Sequence, residues 1–504
     1  MKNRTCHDSL APFARTAVKV ATSLALIGAL AGCAATNGGE TVDSLMRERA
    51  RLAETRHQAR AAGAGAEAPA AADADALPVL SGKLSLADAV TLALANNRSL
   101  KTTYLLRVEA DGLVTEAYAG ALPQVGASAS AESSLPREDD SDQYALGVEV
   151  SQALWRSGAV AAGVRYARLY AASTDFTIRE KVQKTVAETA AKYLDVLLEQ
   201  HLVQVFEEAA AVSDRVLQTA KSRRAQGVVS DYEVLRAEVE VANTRAELIN
   251  ERNALRRATV ALFQTLGVSQ ASEVAFSGDL AYASEAHDLE AASAKAFALR
   301  PDLARGLAAL RMAEENIAIV ASAYGPAADL FAAGDYANRV DDEWQDEWTL
   351  GARATWKLFD GFERRGRMQV ARSKRDQASE TLRDLEDRAH VEVVDAVLQL
   401  KYADELYQSQ IKNIDLAKEA LRIIEAGSSR GRNTQVEVLD ARAALTKATG
   451  MYYKAVHAHC MARLGLLSAT GAIEPGEALG RLAGAVANEA PAIQAPAEDG
   501  DAAK

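Results

Sequence analysis

Cysteine, proline and aromatic residues are all scarce in this chain of 504 residues, and each scarcity narrows the possibilities. Three cysteines, Cys6, Cys33 and Cys460, cannot supply the even, spaced set of a disulfide scaffold, so no structural bridge is expected. An excess of basic charge is missing too. The formal charge is −12, and loss of residues 1–32, which carry a net +3, would leave −15, a balance that disfavours nucleic acid as a partner. No glycine-rich phosphate loop with its lysine, no HExxH and no GxSxG elbow is present, so no enzyme is expected. His457, His459 and Cys460 lie close together, but the two histidines point to different helix faces and nothing completes four ligands. The expectation is no metal and no cofactor.

Long hydrophobic runs are confined to one place. A basic start followed by the apolar stretch from Ala17 to Leu30 reads as an export signal, and roughly 14 residues are too few for a permanent membrane helix. The stretch ends Leu30-Ala31-Gly32-Cys33, which resembles the lipobox of bacterial lipoproteins, in which the cysteine is acylated and becomes the first mature residue. By resemblance to sorting in Gram-negative bacteria, Ala34 after it favours the outer membrane. Residues 33–83 read as a lipidated start and an Ala-rich tether, and residues 475–504 as a poorly ordered tail.

The placing of proline and glycine is the main structural signal. Proline is absent between Pro136 and Pro301 and between Pro326 and Pro475, and glycine is absent from Val164 to Gln226 and from Arg367 to Ala426. A proline inside a helix removes a hydrogen bond and clashes with the preceding turn. These runs can therefore be continuous helices of roughly 90 Å at 1.5 Å per residue. Val182, Val186, Ala190, Leu194, Leu197 and Leu202 fall at the spacing of one helix face, and Val391, Val394, Leu398, Ile411, Ile414 and Leu421 repeat the pattern.

The chain also matches itself. At an offset of 204, Leu154-Trp155-Arg156-Ser157-Gly158 falls on Leu358-Phe359-Asp360-Gly361-Phe362, and Gly227, Leu235 and Gly267 fall on Gly431, Leu439 and Gly471. Upstream the offset is 203, pairing Leu100 with Leu303 and Pro123 with Pro326. The core is read as two tandem units, residues 84–289 and 290–474. Each breaks helical character once, in a hairpin at about 122–154 and about 326–358. In the second hairpin Trp348, Leu350, Ala352, Ala354 and Trp356 alternate with polar or small residues, the period of a strand with one greasy face; Tyr144, Leu146, Val148 and Val150 do the same in the first. Trp348 and Trp356 are about 26 Å apart at 3.3 Å per residue, close to the ~25 Å apolar band of an outer-membrane barrel. Tyr144, Trp348 and Trp356 are thus candidates for its aromatic girdle. Two hairpins give four strands, too few to close a barrel, and strand edges cannot stay open in lipid. If the strands span a membrane, several chains must share one barrel.

Leu84-Ser85-Leu86-Ala87-Asp88-Ala89, Ala95-Asn96-Asn97, Leu122-Pro123-Gln124, Arg300-Pro301-Asp302-Leu303 and Leu358-Phe359-Asp360-Gly361, in this order across Leu84 to Gly471, resemble the TolC-like outer membrane factor family. The resemblance implies a mainly α protein with a membrane β-barrel portion. It implies a homotrimer with an α-barrel and a shared twelve-stranded β-barrel, acting as a passive exit duct in the outer membrane. Its partners would be outer membrane lipid, a periplasmic adaptor (membrane fusion protein) and an inner-membrane pump for efflux or type I secretion. It further implies that the turns Gly227-Val228-Val229-Ser230 and Gly431-Arg432-Asn433-Thr434 form a tip that meets the adaptor, and that Glu437 and Asp440 line a closed entrance as acidic rings. In the family an acid on one hairpin can restrain an arginine on the other; Glu233 stands in the acid's place, but Asn433 stands in the arginine's, with Arg432 beside it. The rival reading is a periplasmic coiled-coil adaptor or structural protein without a pore.

Overall fold

The computed structural model describes residues 49–51, 77–132, 143–284, 288–340, 343–428, 430, 432–473 and 486–487. Signal segment, Cys33, most of the tether, Gly431 and nearly all of the C-terminal tail lie outside them. The chain forms two compact units, residues 1–77 and residues 78–504. Residues 49–51 of the first are helical. All remaining elements belong to the second.

That unit begins with β1 (Ser81–Leu84), α1 (Leu86–Asn96) and α2 (Arg98–Ala119), and the hairpin β2 (Gln124–Glu132) and β3 (Gln143–Trp155) follows. Next come α3 (Ala159–Ala225) and α4 (Asp231–Leu266), then the short strands β4 (Glu273–Phe276) and β5 (Asp279–Leu280). The second half repeats the scheme with α5 (Leu289–Leu299), α6 (Pro301–Ser322), β6 (Ala327–Val340), β7 (Glu343–Thr355), α7 (Glu363–Ser428) and α8 (Gln435–Ala469), closed by β8 (Val486–Ala487). With 67 and 66 residues, α3 and α7 are unbroken rods of roughly 100 Å. Each folds back on its partner, α3 on α4 and α7 on α8, while α3 also packs against α8, α6 and α2.

The helix ends are specified locally. Ser85 and Asp88 form a capping box that starts α1, Asn97 accepts from the Leu100 amide to start α2, and Pro301 opens α6 where a missing N–H costs nothing. Each half turns the same knuckle. Gly267 ends α4 at φ +67° and Gly471 follows α8 at φ +66°, and a Cβ on either would fall 2.8–3.0 Å from backbone of Asn96 or of Arg300. Only glycine satisfies both the left-handed backbone and that close approach.

The main core lies where α1, α3, α4 and α8 meet around Val90, Val186, Leu194, Leu197, Leu262, Leu266 and Val456, all at most 2% exposed. Tyr193 is fully buried there, and its hydroxyl reaches the Leu84 and Ser277 carbonyls at 2.8 and 2.6 Å. Those bonds fasten the parallel pair β1–β4 to α3. The pair joins segments some 190 residues apart, which no local pattern announces. Within the C-terminal stretch Val486–Ala487 pairs antiparallel with Asp279–Leu280, where the β5 edge next to buried Leu280 offers backbone groups that need partners.

Candidate functional site

The four long strands form one antiparallel sheet in the order β2-β3-β6-β7. Val125 pairs with Val150 in the first hairpin and Ala328 with Ala354 in the second. Offsets of 203 and 204 convert one pair into the other, so the repeat extends to strand register. Cross-strand partners share a face. One face therefore carries Val125, Ala127, Ala129 and Ala131; Tyr144, Leu146, Val148 and Val150; Leu330, Ala332, Gly334 and Tyr336; and Trp348, Leu350, Ala352 and Ala354. The other carries Ser128, Ser130, Glu149, Ser151, Asp329, Asp335, Glu347, Thr349, Arg353 and Thr355. On the greasy face Trp348 is 80% and Leu350 78% exposed, so none of the described residues covers them.

The aromatic candidates are all on that face or at its margin. The Trp348 ring lies across Gly334, where a Cβ would come within 2.8 Å of it. Tyr144 stands four residues nearer the strand end, in the row of Asn338 and Trp344, and Trp344 stacks on Tyr336 at 4.8 Å. Trp356 follows the other end of β7, and its indole N–H donates to the Tyr324 carbonyl at 3.0 Å. Trp155 was missed in the sequence. A register shift after Ala153 sets it opposite Ala328, bringing a second exposed indole to the Trp356 end. A bulge of this kind breaks the period-two pattern that a sequence reading relies on.

At the far end of the rods lie the two helix reversals. Gly227 takes φ +76° and its N–H donates to the Arg224 carbonyl at 2.9 Å, leaving Val228 exposed at the apex. Ser230 caps α4 by accepting from the Glu233 amide, and Arg224 clamps Asp231 through two hydrogen bonds of 2.5 and 2.9 Å. That clamp holds the Asp231 carboxyl below its usual range. In the second reversal the Asn433 amide oxygen fills the space a Cβ on Gly427 would take, so this side chain serves its own turn. Arg432 is exposed and its amide donates to the Gly427 carbonyl.

Both acidic candidates beyond this turn have partners. Glu437 reaches back to the Thr434 amide at 2.9 Å while Thr434 accepts from the Glu437 amide, a capping box. Asp440 accepts from Arg236 at 3.2 Å. Arg236 and Asp440 lie 204 residues apart, the repeat offset itself, so equivalent positions of the two hairpins touch one another with opposite charge. Arg236 had no signal in the sequence, since only the folded repeat brings it to Asp440.

The histidine and cysteine group on α8 is dispersed among separate partners. His457 faces Asp195 at 2.9 Å, His459 is fully buried beside Asp404 at 3.0 Å, and the Cys460 thiol points at the Ala281 carbonyl at 3.5 Å. Burial pushes the Cys460 thiol up to about 11. Among the described residues no three His, Cys, Asp or Glu side chains are placed to share a metal ion.

A four-stranded sheet with a bare apolar face, joined to paired helical rods in two copies, is matched by known proteins. The profile of the family described as outer membrane efflux protein covers residues 89–268 and 292–472, one match in each half. The chain belongs to the outer membrane efflux protein family. Among curated relatives it is 25% identical over 304 residues to Protein CyaE of Bordetella pertussis, across 58% of this chain and 64% of that protein. It is 26% identical over 164 residues to the outer membrane efflux protein BepC of Brucella suis, across 32% of this chain and 35% of that one. The chain thus spans less than two thirds of the length of either relative. The CmeC outer membrane channel of Campylobacter jejuni superposes with a TM-score of 0.68 over 80% of this chain and 90% of CmeC, at 15% identity. The fold is that of TolC-like outer membrane channels.

Proposed function

We propose that this efflux-family chain is a passive exit duct of a tripartite efflux or type I secretion assembly, anchored in the outer membrane by acylated Cys33 as well as by its strands. The observation that carries this is the sheet. Among the described residues its two edges are open, one face is mainly apolar, interrupted by Gln152, Asn338 and Asp346, and the opposite face is mainly polar with an excess of carboxylates. In lipid such a sheet satisfies its edges only by joining sheets from other copies, which leaves the polar face around a water-filled lumen. Three chains give twelve strands, and their helical rods continue the wall. A pore-free adaptor has no use for a bare apolar sheet of this height.

In this reading the turns at Gly227 and Thr434 dock a periplasmic adaptor, and the Arg236–Asp440 pairs fasten the two hairpins in the resting state. Copied by threefold symmetry, Glu437 and Asp440 favour cations at that end by Coulomb attraction. Fractionation tests the placement. The protein is expected to stay with outer membranes through high salt and to need detergent for release. Cys33→Ser should lose incorporated palmitate yet remain membrane-embedded through its strands; release of the wild type by salt alone would contradict the proposal.

A further inference from the structure

Phe331 faces the polar side of the sheet, where an aromatic side chain is out of place. Among the described residues paired in the sheet, it is the only aromatic on that face and Arg353 is the only cation. The two belong together. Gly351 lies opposite Phe331 across β6 and β7, and the ring is laid over it, with Cζ 2.7 Å from where a Cβ would stand. Two residues along β7, the Arg353 guanidinium stacks on the same ring at 5.0 Å from its centroid. A side chain at 351 would lift the ring, so the glycine is what lets a phenyl group lie flat against the strands.

The repeat holds the same arrangement with different chemistry. Offsets of 203 and 204 carry Phe331, Gly351 and Arg353 back to Ser128, Gly147 and Glu149. Ser128 lies opposite Gly147, and its Oγ is 2.7 Å from where that glycine would carry a Cβ. Each hairpin thus lays one side chain across a glycine and sets a charge two residues beyond it. In the first half the charge is a carboxylate beside a hydroxyl; in the second it is a guanidinium on a phenyl ring. Filling the gap over a glycine accounts for the shared geometry but not for the reversal of charge.

Arg353 is also available to a ligand. Across the strands it faces Asp329, but Asp329 is held by Arg156 at 2.7 Å, and among the described residues no carboxylate lies within salt-bridge distance of Arg353. The side chain is exposed, while the Phe331 ring is half-buried. We infer that Phe331 and Arg353 form a shelf in the duct wall for organic anions that carry a planar carboxylate or sulfonate on an apolar body, aromatic acids above all. This rests on the duct reading above and names a class of cargo that the carboxylates of the same face, Glu149, Asp335 and Glu347, would otherwise repel. A guanidinium held flat against a ring keeps its N–H fork for a planar acid group, which a lysine ammonium cannot match. The uncovered part of the ring meets the apolar body of the ligand. Small inorganic ions gain nothing from the ring and follow the carboxylate majority. A single open shelf binds weakly enough to release what it admits, as passage through a duct requires.

Reversal potentials across a planar bilayer test this, with the full-length protein reconstituted and gradients of potassium naphthalenesulfonate or potassium chloride. The wild type is expected to pass naphthalenesulfonate, relative to chloride, more readily than the larger size of that anion allows. Phe331→Leu and Arg353→Lys keep the charge and should lower the naphthalenesulfonate-to-chloride permeability ratio several-fold with chloride permeability unchanged. Arg353→Gln should lower both permeabilities, that of naphthalenesulfonate the more. Glu149→Gln should raise both alike and leave the ratio where it was. Equal losses of the two anions in Arg353→Gln, or a wild-type ratio in channels of Phe331→Leu and Arg353→Lys, overturn the shelf. Wild-type protein that gives no conductance in either salt would instead overturn the duct itself.

Discussion

Arg300→Met is expected to cost about 3–5 kcal/mol of stability, the usual penalty for stranding one partner of a buried ion pair, and to lower the yield of assembled protein sharply. Arg300 sits at the α5–α6 junction with only 11% of its side chain exposed. It holds Asp302 through hydrogen bonds of 3.1 and 2.7 Å, Glu392 of α7 at 2.5 Å and the Ala469 carbonyl of α8 at 3.1 Å. One side chain therefore ties three helices together, and a methionine of similar volume keeps the packing but leaves Asp302 with only backbone donors such as the Leu303 amide and takes the guanidinium from the end of α8. Burial pushes the Asp302 carboxyl up, but the hydrogen bonds and charge of Arg300 outweigh it and hold it below its ordinary value. A carboxylate with a depressed folded-state pKa contributes stability above its unfolded value near ~3.9, and that contribution is lost as pH falls through the lower folded value. Thermal unfolding followed by circular dichroism should show the wild-type advantage at neutral pH and its decline only below about pH 4. Adding Asp302→Leu to Arg300→Met should restore much of the loss, because the stranded charge is then gone.

Arg236→Glu is expected to raise the resting conductance of the reconstituted protein. It replaces an attraction to Asp440 with repulsion at an ion pair that joins the two helical hairpins near their tips. Asp440 is 69% exposed, so solvent screens the pair heavily. An exposed pair contributes about 0.2–1 kcal/mol, and three copies acting together make about 0.6–3 kcal/mol, a change of about 3-fold to about 150-fold in the balance of closed and open states. Arg236→Glu combined with Asp440→Arg restores opposite charges and should return the currents toward wild type, whereas Arg236→Glu currents equal to wild type would remove this pair from any resting restraint. Glu437→Ala is expected to act differently. Its carboxylate caps its own helix, so the change should fray the first turn of α8 by about 1 kcal/mol before it alters ion preference.

The rods and hairpins were legible in the sequence because they depend on local rules: where proline and glycine are excluded, where apolar residues recur every three or four positions, and where they alternate. The two-unit repeat was legible because glycine and proline mark the same turns twice. Contacts across the fold were not. Arg236 meets Asp440 only after both hairpins stand side by side, Trp155 joins the apolar face only through a bulge, and β1 finds β4 across nearly 200 residues. Glu437 and Asp440 were recognised as sharing a helix face, but spacing could not tell that one would turn to its own N-terminus and the other to an arginine. Asn433, which looked like a lost arginine contact, fills the gap left by Gly427 within its own turn.

Single-channel recording on the purified wild-type protein tests the central claim most directly. Detergent-solubilised protein with the native mass of three chains, added to a planar lipid bilayer, is expected to insert in discrete conductance steps that favour cations, as the carboxylate-rich polar face of the sheet requires. A preparation that remains a single chain, dissolves without detergent and gives no steps would contradict a shared barrel around an aqueous lumen.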